Sequence, residues 1–213
     1  MIELKNITKK IDNKIIVNDF SVALNSGEII GITGDSGSGK TSLCRIIAGI
    51  DCFDSGEIIL NANEFTSRNY KDIRGKVGFV FQGYDLFYNL NVLENITYAP
   101  IKVLGQNKEV VNQRAEEMLK MFGVESCRNL KQNSLSGGQR QRVCIIRSLI
   151  TNPEVIIFDE PTSALDRKSV DNFLDIMRKI INKNRTIIII SHDKYVIENL
   201  STRVIKIKNG SLV

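Results

Sequence analysis

The sequence predicts an α/β fold around a parallel sheet, and three observations carry that reading. The segment GDSGSGKT, Gly34 to Thr41, follows an apolar run and leads into helical spacing. The runs VIIFDE (Val155 to Glu160) and TIIIIS (Thr186 to Ser191) are apolar on both faces, as strands covered by helices are. From about Leu93 to Ile150 helical spacing replaces the strand pattern, so a helical lobe is expected to interrupt the core at roughly residues 90 to 150.

Taken in order, IELKNI, IIVNDFSVAL, EIIGIT, EIILN and VGFVFQ read as strands, the first of them forming an N-terminal antiparallel β portion. Turn signals separate them at Asn25-Ser26-Gly27 and Asp54-Ser55-Gly56. Ser42 to Gly49 has helical spacing, giving strand, glycine-rich loop and helix in succession. Glu109 to Phe122 reads as an amphipathic helix and Gly138 to Ile150 as another. Beyond Pro153 come the strand VIIFDE, a helix from Arg167 to Ile181, the strand TIIIIS and a closing hairpin in VIKIKNGSLV. No repeat or long linker divides the chain. Its 213 residues suit one domain, with a core lobe at 1–90 and 151–213 and the helical lobe between.

Composition narrows the classes. The net charge of +5 comes from 29 basic and 24 acidic residues spread along the chain. Basic blocks such as Lys9-Lys10 are too short for a nucleic-acid stripe, so no nucleic-acid partner is expected. Cys44, Cys52, Cys127 and Cys144 form no CxxC pair, which favours free thiols in a reducing compartment. MIELKNITKK lacks the apolar core of a leader peptide, and no run approaches membrane-span length. A membrane pore would have to lie in other polypeptides.

The chemistry starts at the glycine-rich loop. Gly34, Gly37 and Gly39 let the backbone aim successive N–H groups at phosphate oxygens, and the following helix adds its dipole. Gly34, Asp35, Ser36, Gly37, Ser38, Gly39, Lys40, Thr41 and Ser42 form the expected nucleotide-binding set, with Lys40 on the β- and γ-phosphates and Thr41 on magnesium. Asp159 and Glu160 end a buried strand, where ligand sites of open α/β sheets gather. Asp159 would hold magnesium through water, and Glu160 would polarise an attacking water. Two acids at a strand end can also just mark its entry into solvent; the phosphate loop in the same chain favours the site.

Leu135, Ser136, Gly137, Gly138 and Gln139, lying between loop and acidic strand, resemble the signature motif of the ATP-binding cassette family. The resemblance spans the chain from IELKNITK to KNGSLV and implies a P-loop NTPase core with ATP and Mg2+ as cofactors. In that family two cassettes close head to tail, and the signature of one caps the nucleotide of the other. The resemblance assigns His192, the sole histidine, to the γ-phosphate, and Gln82 to magnesium and the lytic water. Ser163-Ala164-Leu165-Asp166 matches the loop along the dimer interface. One position departs: where relatives carry an aromatic residue that stacks on adenine, this chain has Ile11. The stretch Leu86 to Gly105, with Ala99-Pro100-Ile101-Lys102-Val103, looks like the importers of polar amino acids. Lipoprotein-release, efflux and cell-division cassettes are the alternative. The implied partners are a second copy of the chain, separate permease subunits and an extracytoplasmic solute-binding protein. The implied place is the cytoplasmic face of the inner membrane. The short tail after the hairpin leads to no expectation of a regulatory domain.

Overall fold

A computed structural model describes residues 1–163, 165–181 and 185–213. These fall into two compact units, Met1–Phe79 with Glu154–Val213, and Val80–Pro153.

The first unit carries two sheets. β1 (Ile2–Ile11), β2 (Lys14–Leu24), β4 (Ser55–Leu60) and β5 (Asn63–Phe65) form an antiparallel sheet in the order β2-β1-β4-β5. β1 runs past the expected IELKNI to Ile11, because Asp12 and Asn13 adopt φ of 46° and 64° and turn the chain in two residues. Ser55-Gly56, read from sequence as a turn, instead opens β4 opposite a bulge in β1; a Cβ on Gly56 would meet the Lys5 carbonyl oxygen at 2.5 Å.

The second sheet has the order β10-β9-β3-β8-β7-β6, from β3 (Ile29–Thr33), β6 (Val77–Val80), β7 (Val155–Asp159), β8 (Thr186–Ile190), β9 (Arg203–Lys208) and β10 (Ser211–Leu212). β3 pairs parallel with β8 and β9, β7 pairs parallel with β8, and β10 closes antiparallel on β9. β6 ends at Val80, so Phe81 and Gln82 lie beyond the strand expected for VGFVFQ.

Alternation along these strands sorts the core. Ile30, Ile32, Val155, Ile157, Ile188 and Ile190 join Leu43, Cys44, Ile46 and Ile47 of α1 (Lys40–Ile47) and the inner residues of the antiparallel sheet in one buried cluster. α5 (Arg167–Ile180) and α6 (Lys194–Leu200) complete the unit; the Phe158 ring meets Phe173 of α5 edge-on at 5.9 Å. Gly31 leaves room for α6, since a Cβ there would come within 2.5 Å of Ser201 Oγ. The fold class expected from the sequence is the one found.

The second unit is helical: α2 (Val92–Tyr98), a single π-helical stretch at Ala99–Val103, α3 (Lys108–Met121) and α4 (Gly137–Leu149). Asn91 caps α2 in a reciprocal box with Glu94. Buried Asn95 holds the preceding loop, accepting from the Phe87 N–H and donating to the carbonyls of Phe87, Leu90 and Asn91. Cys44, Cys127 and Cys144 are buried and Cys52 is exposed, all as free thiols. No helix among the described residues is long and apolar enough to cross a membrane.

Candidate functional site

The glycine-rich loop leaves β3 at Thr33 and enters α1 at Lys40 through three glycines with φ of 147°, 74° and 100° at positions 34, 37 and 39. Two of them are fixed by close approach as well. A Cβ on Gly34 would meet the Ile207 carbonyl oxygen at 2.2 Å, and one on Gly39 the Ile16 oxygen at 2.5 Å. Lys40 is buried, and its Nζ donates to the carbonyls of Gly34 and Asp35 at 2.9 and 2.8 Å. Among the described residues the buried Ser38 hydroxyl has no hydrogen-bond partner, which leaves a donor free for an acceptor such as a phosphate oxygen.

Beside the loop lies a cleft of about 350 Å³ lined by Ile11, Lys14, Ile16 and residues Gly37 to Ser42. Ile11 is half exposed there. The sequence reading missed Lys14 and Ile16. Lys14 is the cross-strand partner of Ile11, so the hairpin register, once the Asp12-Asn13 turn is recognised, points to it.

Asp159 and Glu160 follow one another but differ in backbone. Asp159 is the last residue of β7, and its Oδ1 accepts from the Thr41 hydroxyl at 3.2 Å. Burial pushes its carboxyl above the usual range, while the Thr41 hydrogen bond and the charges of Arg45 and Lys40 pull the other way. Glu160 has left-handed φ of 49°, unusual outside glycine, and its N–H donates to the Ile190 carbonyl at 3.0 Å. That geometry turns its side chain to His192, whose Nε2 lies 3.4 Å from Glu160 Oε1. His192 lies two residues beyond the end of β8 and is exposed. Asp166 caps α5 by accepting from the Ser169 N–H, which holds its carboxyl below the usual range. Ala164, in the segment Ser163 to Asp166, lies outside the described residues.

So the first unit brings Lys40, Thr41, Asp159, Glu160 and His192 to one end of the parallel strands. Gln82 and residues 135–139 belong to the second unit. Gln82 is exposed in the turn after β6. Ser136 caps α4 in a reciprocal box: its hydroxyl accepts from the Gln139 N–H at 3.3 Å and its N–H donates to Gln139 Oε1 at 2.8 Å. Ser136, Gly137 and Gly138 are exposed, and a Cβ on either glycine would meet nothing within 4 Å.

A thiol-free acid–hydroxyl pair beside a phosphate-type loop suits magnesium: hard oxygen donors on Thr41 and Asp159, with remaining positions left to phosphate and water.

The family model described as ABC transporter matches residues 17–163. Over the full chain it is 34% identical to the arginine transport ATP-binding protein ArtM of Bacillus subtilis, of which it covers 90%. It is equally 34% identical to the glutamate/aspartate import ATP-binding protein GltL of Escherichia coli K12, covering 89% of it. Among solved structures, the dimeric ATP-binding cassette MJ0796 bound to ADP and Pi superposes with a TM-score of 0.85 at 36% identity, covering 100% of this chain and 96% of that one.

Proposed function

The chain belongs to the ABC transporter family, and we propose that it is the ATP-hydrolysing motor of a membrane importer of polar amino acids. The observation that carries the motor is the convergence of Lys40, Thr41, Asp159, Glu160 and His192 on one end of the sheet. The names of the relatives support the class of cargo.

In this reading the base of ATP packs on Ile11 and Ile16, and the phosphates take the loop N–H groups and the orphan Ser38 hydroxyl. Lys40 exchanges its carbonyl partners for β- and γ-phosphate oxygens. Thr41 and Asp159 would hold magnesium, which when bound neutralises charge on the phosphates. Glu160 accepts a hydrogen bond from the attacking water and orients it in line, and His192 contacts the γ-phosphate. The whole chain acts as one ATPase domain whose second lobe carries the signature residues.

Leu135, Ser136, Gly137, Gly138 and Gln139 of a second copy would complete each site. Among the described residues no contact requires glycine at 137 or 138, since both have open space. Close approach of a nucleotide from another subunit supplies the reason, and the N-terminus of α4 offers it N–H groups and a positive dipole. Asp166 would line the same interface. The second unit also exposes Phe87, Tyr88, Tyr98, Val103 and Leu104 around the Ala99–Val103 stretch, a surface suited to a permease subunit at the inner face of the membrane.

The test is a pull-down of the chain from its native membranes, with co-purifying proteins identified by mass spectrometry. A small permease with a solute-binding protein is the expected result. A permease with a large extracytoplasmic domain would move the assignment to lipoprotein release or efflux and leave the ATP chemistry standing.

A further inference from the structure

The segments that follow β7 and β8 meet at Glu160 and His192, and they are joined a second time by three side chains the nucleotide reading does not use. Arg167, the first residue of α5, lays its guanidinium over the ring of Tyr195, with Cζ 3.3 Å from the ring centroid. The Tyr195 hydroxyl donates to Asp171 Oδ1 at 3.2 Å, one turn along α5. Arg167 Nε lies 3.9 Å from the same oxygen.

These contacts close a ring of local geometry. Glu160 begins a turn in which its carbonyl accepts from the Ser163 N–H and hydroxyl at 3.3 and 3.2 Å. The turn leads to Asp166, the cap of α5, and so to Arg167. Across the stack, Tyr195 belongs to the first turn of α6, and its N–H donates to the cap Asp193 at 2.9 Å. Asp193 follows His192, whose ring returns to Glu160 at 3.4 Å.

A helix of seven residues such as α6 is too short to hold itself in place by propensity, so its anchors decide where it sits. Val196, Ile197 and Leu200 hold its underside in the core. Tyr195 adds a second anchor to the first turn, the turn attached to His192, by tying it to α5.

We propose that Tyr195 is a positioning residue for His192. By clasping Arg167 and Asp171 it fixes the start of α6, and with it the imidazole beside Glu160, to the start of α5. The start of α5 and the imidazole then move as one body. The consequence for turnover rests on the reading of His192 as a γ-phosphate contact.

Because His192 is the only histidine in the sequence, its ring C–H signal in a proton NMR spectrum of the full chain is assigned without further work. Tyr195→Ala is expected to shift and broaden that signal, and Arg167→Ala to do the same. Tyr195→Phe keeps a ring over Arg167 and should leave it in place. In steady-state ATP hydrolysis Tyr195→Ala should lower kcat by about twofold to fivefold with KM for ATP unchanged, the scale set by losing one exposed stacking contact. An unmoved His192 signal in Tyr195→Ala overturns the proposal. So does a signal change that comes with a general loss of thermal stability and a raised KM, which would mark Tyr195 as structural support only. A moved signal in Tyr195→Ala, with His192→Ala hydrolysing ATP like the parent chain, sustains the clasp and overturns the catalytic reading of His192 instead.

Discussion

The backbone N–H of Gly210 donates to the carbonyl oxygen of Ser38 at 3.0 Å, so the turn of the closing hairpin braces the phosphate loop. Asn209 and Gly210 have φ of 51° and 78°, the pair of left-handed residues a two-residue turn requires. A Cβ on Gly210 would come within 2.5 Å of the Ile16 carbonyl oxygen, which is backbone and cannot swing away.

Gly210→Ala is therefore expected to strain the hairpin and loosen the loop together. The left-handed backbone alone costs roughly 1 kcal/mol with a side chain, and the collision with Ile16 adds to it. The thermal midpoint should fall by several degrees, at about 2–4 °C per kcal/mol for a chain of this size, and ATP affinity should weaken about tenfold, since each 1.4 kcal/mol is a factor of ten. Gly105→Ala is the control, with φ of 64° but nothing within 4 Å of the added carbon. It should show the smaller stability loss and unchanged ATP binding in a fluorescent-nucleotide titration. Equal effects on ATP binding from both substitutions would sink the bracing argument.

Asp159 makes a pH-dependent prediction. Burial raises its carboxyl pKa in the folded chain above the unfolded value, so the folded state holds the proton to higher pH. Stability changes with pH in proportion to the protons bound by the unfolded state minus those bound by the folded state, which is negative here. The contribution of this group thus falls as pH rises from the unfolded to the folded value and stays lost above it. Asp159→Asn removes the buried charge and keeps an acceptor for Thr41, so it should melt higher than the parent at neutral pH without nucleotide or magnesium. The difference should vanish in acid, where both side chains are neutral. Calorimetry across pH reads it, and a lower midpoint for Asp159→Asn at neutral pH is the contrary result.

Much of this was legible because period and turn chemistry agree with the final packing. Val155 to Phe158 and Ile187 to Ile190 are unbroken apolar runs of strand length, as a doubly covered strand carries. The helix ends at Ser136 and Asp166 carry their caps in the sequence. What was hidden depends on contacts distant in sequence. The turn at Asp12-Asn13 lacks the glycine that usually announces it, so β1 was read short and Lys14 was not placed opposite Ile11. α2 and α6 span only seven residues each, too few for a periodic signal. The left-handed backbone at Glu160 has no signature at all, since it is held by the Ile190 carbonyl across the sheet.

Ile11 and Ile16 line the cleft beside the phosphate loop, and in the proposed reading they would give the base two aliphatic walls. Ile11→Tyr restores a ring at the half-exposed position, where a stacked pair contributes about 0.5–1.5 kcal/mol. ATP affinity should rise about threefold to tenfold by that measure, and the ratio of ATP to GTP hydrolysis should rise with it, because stacking strength differs between bases while aliphatic contact does not read them. Unchanged affinity in Ile11→Tyr would mean that the base does not rest on this residue.

Glu160→Gln separates holding ATP from splitting it. The two side chains have nearly the same shape, so the left-handed backbone and the approach to His192 can persist, but the amide cannot accept a proton from water. Loss of a general base lowers rates by about 10²–10⁴-fold, so turnover should nearly disappear while ATP still binds. If the signature residues of one copy close on the nucleotide of another, that stalled site should hold two chains together. Size-exclusion chromatography with light scattering should then show a dimer for Glu160→Gln with MgATP and a monomer without it. Adding Ser136→Arg to Glu160→Gln places a bulky charge at the exposed start of α4, in the unit that does not carry the phosphate loop. It should abolish the dimer and spare ATP binding to the single chain. A dimer that survives Ser136→Arg would place the interface elsewhere, and a monomer across a wide range of chain concentration with MgATP would remove the shared site altogether.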